Sequence, residues 1–283
     1  QMKMLITGSS GFIGRTLVKN IEGIPCDISS SDTKPNCDVT NVDDIINSSK
    51  DCDGIIHLAA LSRVADCESE PQICIDINIK GTLNVIQAAV KNKINWVGIV
   101  TTGEVKWIEN REIQSFKRIN NVYGISKLAG ELLLDVYTEK TNLQSTIFRI
   151  SSVVFGYGDN PNKVFPLFIN KAKSGKKITI DNSLYEWDFI HIDDVVETII
   201  KYSATAKNKI YMKEVNILSG MQLDLLSLSK VIHYLTDSSS TIHYGNESIN
   251  KVTLLEFEDI VNKRKLTKKF ISQVKSTIDS SPA

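Results

Sequence analysis

The sequence predicts an α/β protein with a doubly wound parallel sheet, because short apolar runs alternate with helical stretches through its first half. Strands that are apolar on both faces fit a parallel sheet covered by helices on each side. A glycine-rich turn directly after the first run is also typical of that class. Asp43 and Asp193 stand at plausible N-cap positions of two helices. The expected strands are 3–7, 24–28, 54–58, 95–101 and 144–150, and the helices between them are 12–22, 43–50, 78–92 and 123–139.

The second half of the chain has a looser pattern, with turn signals that precede its first helix. We expect residues 1–150 to form a first domain and residues 151–283 a smaller, interleaved C-terminal domain. Segments near 188–203 and 214–219 are expected to return to the first domain. The elements predicted in this half are helix 164–174, strand 177–180, strand 214–219 and helix 223–235.

The bulk composition excludes several classes of partner. The 283 residues carry 33 basic and 33 acidic side chains, so no net field favours nucleic acid or an anionic membrane. No apolar run approaches the length of a membrane span, and the first residues enter a strand without an apolar leader. The five cysteines are odd in number and lack C-x-x-C spacing, which predicts reduced thiols, no metal site and a cytoplasmic location.

The glycine-rich turn is the first motif that carries chemistry. Gly8, Gly11 and Gly14 follow the first strand and open a helix, with Phe12 and Ile13 between the last two glycines. Such a turn lets a diphosphate approach the backbone and the free N–H groups of the helix N-terminus. We therefore predict a dinucleotide site formed by all five residues, although a merely structural turn is an alternative reading.

An acid near the end of the second strand distinguishes the two nicotinamide cofactors. Asp27 stands where a carboxylate would bind the adenosine ribose of NAD, with Asp32 as an alternative. Arg15 is a candidate for the 2′-phosphate of NADP. The pattern favours NAD and leaves NADP open.

Tyr123 and Lys127 form a second chemical motif, one turn apart on a predicted helix. An ammonium beside a phenol stabilises the phenolate, which lets the tyrosine act as a general base on a hydroxyl. A third group is needed to orient that hydroxyl. Thr101 and Thr102 end the predicted strand 95–101 at the sheet edge where ligands bind, and Thr102 is the preferred candidate.

Read in chain order, the motifs resemble the extended short-chain dehydrogenase/reductase family, in its nucleotide-sugar epimerase and dehydratase branch. The matching motifs are Gly8-x-x-Gly11-x-x-Gly14, Cys37-Asp38-Val39, His57-Leu58-Ala59-Ala60, Asn78-Ile-Lys-Gly81-Thr82, Tyr123-x-x-x-Lys127 and the run from Asp188 to Asp194. The resemblance implies a Rossmann domain with NAD, a nucleotide-sugar substrate, and a homodimer joined through the helices around 80–92 and 123–139.

The same resemblance implies individual roles at the cofactor. Asp38 and Val39 would contact the adenine, and Lys127 would bind the nicotinamide ribose. Leu58, Ala59 and Ala60 would lie along the cofactor.

The implied reaction is a 4-epimerisation through a transient 4-keto sugar, with Tyr123 as the base. The segment from Thr101 to Val105 is similar to the active-site loop of 4,6-dehydratases, but Gly103 stands where their acidic Asp would be. Glu104 is kept, as in dehydratases and decarboxylases, and is either a catalytic base or a plain loop carboxylate. Three alternatives stay open: a dehydratase or decarboxylase, a 4-keto-sugar reductase, and a non-catalytic dinucleotide-binding regulator.

The substrate half departs from the family pattern. Relatives usually carry an Arg that clamps the substrate diphosphate where Trp187 stands, and no Arg occurs from 150 to 263. We expect Lys163 to bind the diphosphate and Trp187 to stack on the base or sugar; an exposed lysine and a packed tryptophan is the alternative reading. Thr179 marks a strand whose backbone is expected to pair with a nucleobase edge, and Ser152 is a further candidate contact.

Overall fold

The computed structural model describes residues 2–28, 37–103, 105, 121–180, 185–205 and 213–282. The strands in chain order are β1 (Met4–Thr7), β2 (Gly23–Cys26), β3 (Gly54–His57), β4 (Trp96–Thr102), β5 (Gln144–Ile150), β6 (Val153–Phe155), β7 (Ile178–Ile180), β8 (Trp187–His191), β9 (Glu214–Ile217), β10 (Gln222–Leu223), β11 (Ile242–Tyr244) and β12 (Glu247–Ile249). The helices are α1 (Phe12–Asn20), α2 (Val42–Ser48), α3 (Val64–Ser69), α4 (Pro71–Lys91), α5 (Val122–Lys140), α6 (Val164–Lys173), α7 (Ile192–Thr205), α8 (Leu225–Leu235), α9 (Leu254–Lys263) and α10 (Lys268–Ser280).

The chain forms two compact units. Unit 1 contains Gln1–Ser151 and Val196–Ile217, and unit 2 contains Ser152–Val195 and Leu218–Ala283. Each unit has its own apolar core.

Unit 1 is built on a six-stranded parallel sheet in the order β2-β1-β3-β4-β5-β9. The chain runs from β1 outward to β2 on one side and continues from β3 on the other, so the strand order reverses between β1 and β3. This topology confirms the predicted doubly wound sheet. Ligands of such sheets bind outside the carboxyl ends of the strands at the reversal point, where Gly8 follows β1 and Leu58 follows β3.

Local chemistry explains how the elements of unit 1 begin and end. β2 contains Pro25, which has no N–H to donate, and it lies at the edge of the sheet. β2 ends at Cys26 and Ile28 is exposed, so the predicted strand 24–28 is two residues too long at its end. The prediction of Asp43 as an N-cap is wrong because Asn41 accepts the hydrogen bond from the Asp43 N–H, which leaves Asp43 in the first turn.

α4 is longer than predicted and corrects the expectation about apolar runs. It begins at Pro71, contains one π-helical turn over Asp76–Lys80, and has the length and apolar composition of a membrane span. Half of its most apolar window is buried inside the fold. Its buried apolar residues, including Val85 and Ile86, belong to the core of unit 1, and that burial accounts for the composition.

Two cysteines are joined, which corrects the prediction of five reduced thiols. Cys26 and Cys37 form a disulfide, while Cys52, Cys67 and Cys74 are free. The spacing gave no sign of the bond, because it depends on the chain returning beside the end of β2. The Cys37 N–H donates to the Asp27 carbonyl at 3.1 Å, which places residue 37 there.

Unit 2 contains two small three-stranded sheets, β10-β8-β6 and β12-β11-β7. Aromatic side chains fill its core, with the rings of Phe155 and Phe165 stacked at a centroid distance of 4.1 Å. α7 starts at Ile192 directly after β8. Asp193 therefore lies in the first helical turn, where its charge favours the helix dipole, and the prediction of Asp193 as an N-cap is wrong.

Candidate functional site

The glycine-rich turn packs directly against the residues that follow β3. Gly8 has a φ of +69°, and a Cβ added there would lie 2.6 Å from the Ala59 nitrogen. A Cβ at Gly14 would lie 2.1 Å from the Gly8 carbonyl oxygen. Both positions therefore require glycine. The turn lies against Ala59, just after β3, at the edge of the sheet where a cofactor would bind.

The turn also carries groups suited to a phosphate. Gly11 is the N-cap of α1, and Phe12, Ile13 and Gly14 form its first residues. The buried Ser9 hydroxyl oxygen has no hydrogen-bond partner within the described part of the chain. A buried polar atom left without a partner beside a helix N-terminus fits an anionic ligand such as the diphosphate of a dinucleotide.

Asp27 lies against the same turn. Its Oδ2 accepts a hydrogen bond from the Ser10 N–H at 2.9 Å, so the carboxylate at the end of β2 touches the phosphate loop. That is the position a ribose-binding acid requires. Asp32, the alternative, lies outside the described residues.

Asp38 and Val39 form a short ordered turn before α2. The Asp38 Oδ1 accepts hydrogen bonds from the Thr40 N–H and hydroxyl, each at 2.8 Å. The Asn84 side-chain amide donates to the Val39 carbonyl at 2.8 Å, which ties this turn to α4.

His57 holds β3 to its neighbours and is not a proton carrier. Thr82 donates its hydroxyl proton to the Asn78 carbonyl at 2.6 Å, so its oxygen accepts from His57 Nε2 at 3.1 Å. His57 Nδ1 then accepts from the Thr7 hydroxyl at 2.7 Å. Burial, and secondly the Lys127 charge, lowers the pKa of His57 to about 3, so the ring is neutral at physiological pH.

α5 presents Tyr123 and Lys127 together. Asn121 caps the helix by accepting from the Gly124 N–H at 2.6 Å. The Lys127 Nζ lies 6.0 Å from the centroid of the Tyr123 ring and donates to the Val100 carbonyl of β4 at 3.1 Å. This contact brings the lysine to the end of β4, two residues before Thr102.

The charge state of Lys127 is set by opposing effects. Burial lowers the pKa of Lys127 to about 8, while Cys74, Cys67 and Glu131 each act in the opposite direction. The ammonium is therefore the main form at neutral pH and gives up its proton more readily than an exposed lysine.

The structure separates the two candidate threonines. The Thr101 hydroxyl donates to Glu131 at 2.5 Å, and Glu131 in turn pairs with the buried Arg149. Thr101 is thus part of the support beneath the site. Thr102 is the last residue of β4 and is buried at its carboxyl end, on the strand that Lys127 contacts.

Asn78 supports the candidate site, a role that was not predicted from the sequence. Its Oδ1 accepts from the Leu61 N–H at 2.8 Å, and its amide donates to the Ser126 hydroxyl at 2.9 Å. Ser126 donates to the Tyr123 carbonyl at 2.7 Å. Asn78 thus ties the segment after β3 to the helix that carries the tyrosine. The motif at residues 78–82 was its only sequence signal.

Gly103 has no space for a side chain. It follows Thr102, and a Cβ there would lie 2.1 Å from the Ser151 hydroxyl oxygen and 2.9 Å from the Ser151 Cα. Ser151 is exposed at the end of the neighbouring strand β5. Its hydroxyl fills the volume where a side chain from position 103 would begin. Glu104 lies outside the described residues.

Three of the four predicted substrate contacts, Ser152, Trp187 and Thr179, lie on or beside strands of unit 2. Ser152 donates its hydroxyl to Asp188, whose other carboxylate oxygen is buried without a partner among the described residues. Trp187 precedes Asp188 on β8, with its ring 6.5 Å from that of Tyr185. Thr179 is exposed between two buried isoleucines of β7.

Lys163 already has an anionic partner. Its Nζ lies 2.9 Å from the buried Asp159 carboxylate. This pair was not predicted from the sequence, although the spacing of four residues was a possible signal. Any phosphate bound by Lys163 would share the ammonium with Asp159.

No group of three or more His, Cys, Asp or Glu side chains within the described ranges is arranged to hold a metal ion.

Comparison with known proteins gives a consistent picture. Residues 4–217 match the sequence model of the NAD dependent epimerase/dehydratase family. A UDP-glucose 4-epimerase of Rickettsia canadensis (strain McKiel) is 25% identical over 216 residues, which cover 73% of this chain and 59% of the relative. The chain thus spans less than two thirds of the length of that relative.

Two solved structures share the fold. UDP-glucose 4-epimerase of Thermotoga maritima, solved with UDP-glucose, superposes with a TM-score of 0.79 at 22% identity, covering 99% of this chain and 98% of that one. A dTDP-glucose 4,6-dehydratase of Streptomyces venezuelae with NAD bound gives a TM-score of 0.76 at 20% identity, with coverages of 99% and 96%. Epimerase and dehydratase share this fold, so the fold alone does not separate the two reactions.

Proposed function

The chain belongs to the NAD-dependent epimerase/dehydratase family, and from this premise we propose that it is a nucleotide-sugar 4-epimerase. The observation that carries the proposal is the position of Lys127. It stands one turn from Tyr123 on α5 and contacts the end of β4 beside Thr102. The sheet edge that carries the glycine-rich turn therefore also carries the Thr102 hydroxyl and the Lys127 ammonium. Tyr123 lies one helical turn from that ammonium.

In the proposed reaction, Tyr123 removes the proton of the sugar 4-hydroxyl while Thr102 orients that hydroxyl. NAD, when bound, would accept a hydride reversibly from C4 of the sugar. The Lys127 ammonium stabilises the phenolate form of Tyr123 and holds the nicotinamide ribose. Burial lowers the pKa of Lys127 to about 8, and because this value still lies above neutral pH, the cation is the main form there.

The cofactor residues follow from the same proposal. The diphosphate is assigned to the turn of Gly8, Gly11 and Gly14, with Phe12 and Ile13 at the helix start. Asp27 is assigned to the adenosine ribose, which favours NAD over NADP. Asp38 and Val39 are assigned to the adenine, and Leu58, Ala59 and Ala60 to the length of the cofactor. The partnerless Ser9 hydroxyl and the Asp27–Ser10 contact support this arrangement.

The surroundings of Gly103 favour epimerisation over dehydration. Expulsion of the sugar 6-hydroxyl needs a proton donor. Gly103 carries none, and a side chain at this position would require Ser151 to shift. An epimerase has no such requirement, since it returns the sugar without loss of atoms.

The substrate assignments concern unit 2. We assign the diphosphate to Lys163 and the base or sugar to Trp187, with Ser152 and the backbone near Thr179 as further contacts. The pair with Asp159 reduces the free charge of Lys163, so its contribution to phosphate affinity is expected to be modest.

A cytoplasmic location and a homodimer complete the proposal. Both fit an enzyme that uses NAD and nucleotide sugars. The balanced charge gives no support for a nucleic-acid partner.

Incubation with UDP-, GDP- and dTDP-sugars, followed by product mass and stereochemistry, tests the function. We expect a product of unchanged mass with inverted C4, formed without net consumption of NAD, and no turnover in Tyr123→Phe. Loss of water or carbon dioxide would instead identify a dehydratase or decarboxylase. Stoichiometric use of NADPH would identify a reductase, and NAD binding without any turnover would identify a regulator.

A further inference from the structure

The Cys26–Cys37 disulfide lies at the carboxyl end of β2, the edge strand that pairs with β1. Cys26 is the last residue of β2 and pairs with Thr7, the last residue of β1. Both bonded cysteines are buried. One end of the bond therefore lies beside the last residue of β1, which the glycine-rich turn follows.

Backbone contacts connect the bond to the phosphate loop. The Ser9 N–H donates to the Cys26 carbonyl at 3.4 Å, and the Ser10 N–H donates to Asp27 at 2.9 Å. The Cys37 N–H donates to the Asp27 carbonyl at 3.1 Å. Asp27 thus stands between the two bonded cysteines and touches the loop with its side chain.

The second cysteine leads directly into the other acidic residue of the cofactor site. Asp38 follows Cys37, and its turn is held to α4 through the Val39 carbonyl. The disulfide adds a covalent link from this turn to the end of β2, across a sequence separation of 11.

We propose that the Cys26–Cys37 disulfide is a positioning element of the cofactor site, which holds Asp27 and Asp38 at the adenosine end of NAD. The inference rests on the proposed assignment of those two acids. The bond restricts the freedom of both acids before the cofactor arrives, so less ordering has to occur on binding. NAD affinity therefore depends on the redox state of the pair.

The redox step is a thiol–disulfide exchange with a dithiol. The dithiol gives two electrons and two protons, Cys26 and Cys37 become thiols, and the dithiol becomes a disulfide. Such reductants are typical of cytoplasm, where this bond would be opened. The oxidised protein therefore binds NAD more tightly than the reduced protein.

The experiment measures binding of NAD to the full chain before and after dithiothreitol treatment, with thiol labelling to verify the state of the bond. We expect the Kd for NAD to rise about tenfold on reduction, within the usual range of coupling between two sites. The Kd for AMP should rise by the same factor, while the Kd for nicotinamide mononucleotide should not change. The variant Cys26→Ser/Cys37→Ser should match the reduced protein and should not respond to dithiothreitol.

Cys52→Ser is the matched control, because Cys52 is a free cysteine of unit 1. It should keep both the affinity and the redox response of the wild type. Linkage supplies a second readout that a purely structural bond would not give: saturating NAD should make the disulfide harder to reduce by the same factor as the Kd changes.

Three results would overturn the inference. The first is an equal Kd for NAD in labelled oxidised and reduced protein. The second is an equal rise of the Kd values for AMP and nicotinamide mononucleotide on reduction. The third is free thiols at Cys26 and Cys37 in air-oxidised protein. A wild type that binds no NAD in either state would contradict the proposed cofactor site itself, which is a distinguishable failure. If the double variant does not fold, reduction of the wild type decides.

Discussion

At the scale of single residues, the protonation of Lys127 controls the proposed chemistry. The ammonium form is needed beside Tyr123, and the pKa of Lys127 is lowered to about 8 by burial. Raising the pH through 8 therefore removes the cation, and we expect kcat/KM to fall along an alkaline limb near that pH. Lys127→Met should lower kcat by about 100- to 10,000-fold, the usual range for loss of acid–base assistance.

Lys127→Arg is the matched variant, because arginine keeps a charge that does not titrate in this range. It should retain part of the activity and lose the alkaline limb near pH 8. Recording pH–rate profiles for the three proteins checks this. Wild-type kcat in Lys127→Met, or an unchanged limb in Lys127→Arg, would contradict the role of the ammonium.

The contact between Gly103 and Ser151 gives a second prediction at this scale. Gly103→Ala places a methyl group 2.1 Å from the Ser151 hydroxyl oxygen and 2.9 Å from the Ser151 Cα, so Ser151 has to shift. We expect a loss of about 1–3 kcal/mol in the free energy of unfolding, as for other overpacked sites. Denaturant unfolding measures it.

Ser151→Gly provides the control for that clash. It removes the two nearest atoms, so Gly103→Ala/Ser151→Gly should recover part of the lost stability, although the Ser151 Cα at 2.9 Å still limits recovery. Additive losses in the double variant would show that the two positions do not compete for space. Gly103→Asp is expected to destabilise in the same way and to produce no dehydration.

Residue types and short spacings were enough to predict part of the site. The glycine turn, Tyr123 and Lys127 are local motifs whose geometry follows from one turn or one helix. The Asp159–Lys163 pair and the Ser151 contact at Gly103 were missed, because each depends on side-chain positions that spacing does not fix. The disulfide was missed for the related reason that Cys37 returns to β2 only in the folded chain.

At the scale of elements, α5 makes a buried ion pair with β5 and a more exposed ion pair with Lys213, the residue before β9. Glu131 and Arg149 of β5 are each about 2–3% exposed in their side chains and lie 2.5 Å apart. Removing one charge of a buried pair leaves the other uncompensated, so Glu131→Gln should cost about 3–5 kcal/mol of unfolding free energy. Some of this is relieved by Glu214, 3.3 Å from Arg149.

The exposed pair from the same helix is the internal control. Lys213 and Asp135 lie 3.1 Å apart with side chains 55% and 34% exposed, so Lys213→Ala should cost less than about 1 kcal/mol. Denaturant unfolding of both variants tests the contrast. Equal losses would show that burial does not determine the contribution of these pairs.

The strands of the sheet were predicted to within a few residues because strands buried on both faces are continuous apolar runs in the sequence. β5 matches the predicted strand 144–150 at both ends. α4 was predicted to start at 78 rather than Pro71, since its first turns carry exposed apolar residues that break the expected pattern. The π-helical turn at Asp76–Lys80 also shifts its periodicity.

At the scale of the whole molecule, the chain leaves unit 1 after Ser151 and returns to it from Val196 to Ile217. β9 is the strand that this return supplies, and it pairs with β5 from Ile147 to Ile150. Completing the parallel sheet therefore requires the first segment of unit 2, Ser152–Val195, to be synthesised first. Alternation of apolar runs predicted the strand, but its neighbour in the sheet could be known only from the fold.

The homodimer that the family resemblance implies is supported by an exposed apolar surface. On α5, Ile125, Leu132 and Val136 are 50%, 57% and 44% exposed. Their spacing of seven and four residues places them on one face of the helix. Exposed apolar side chains also occur on α4, at Ile73 and Val90. Exposed apolar side chains grouped on one helix face are typical of association surfaces, which supports a dimer contact through α5.

Leu132→Glu tests that surface, because a carboxylate in an apolar interface would be buried without a partner. We expect the wild type to sediment as a dimer at micromolar concentration and the variant as a monomer that keeps its helical content. Leu255→Glu is the matched control: Leu255 is 77% exposed but belongs to α9 of unit 2, so this variant should remain dimeric. A monomeric wild type, or a dimeric Leu132→Glu protein, would show that the apolar face of α5 has another role.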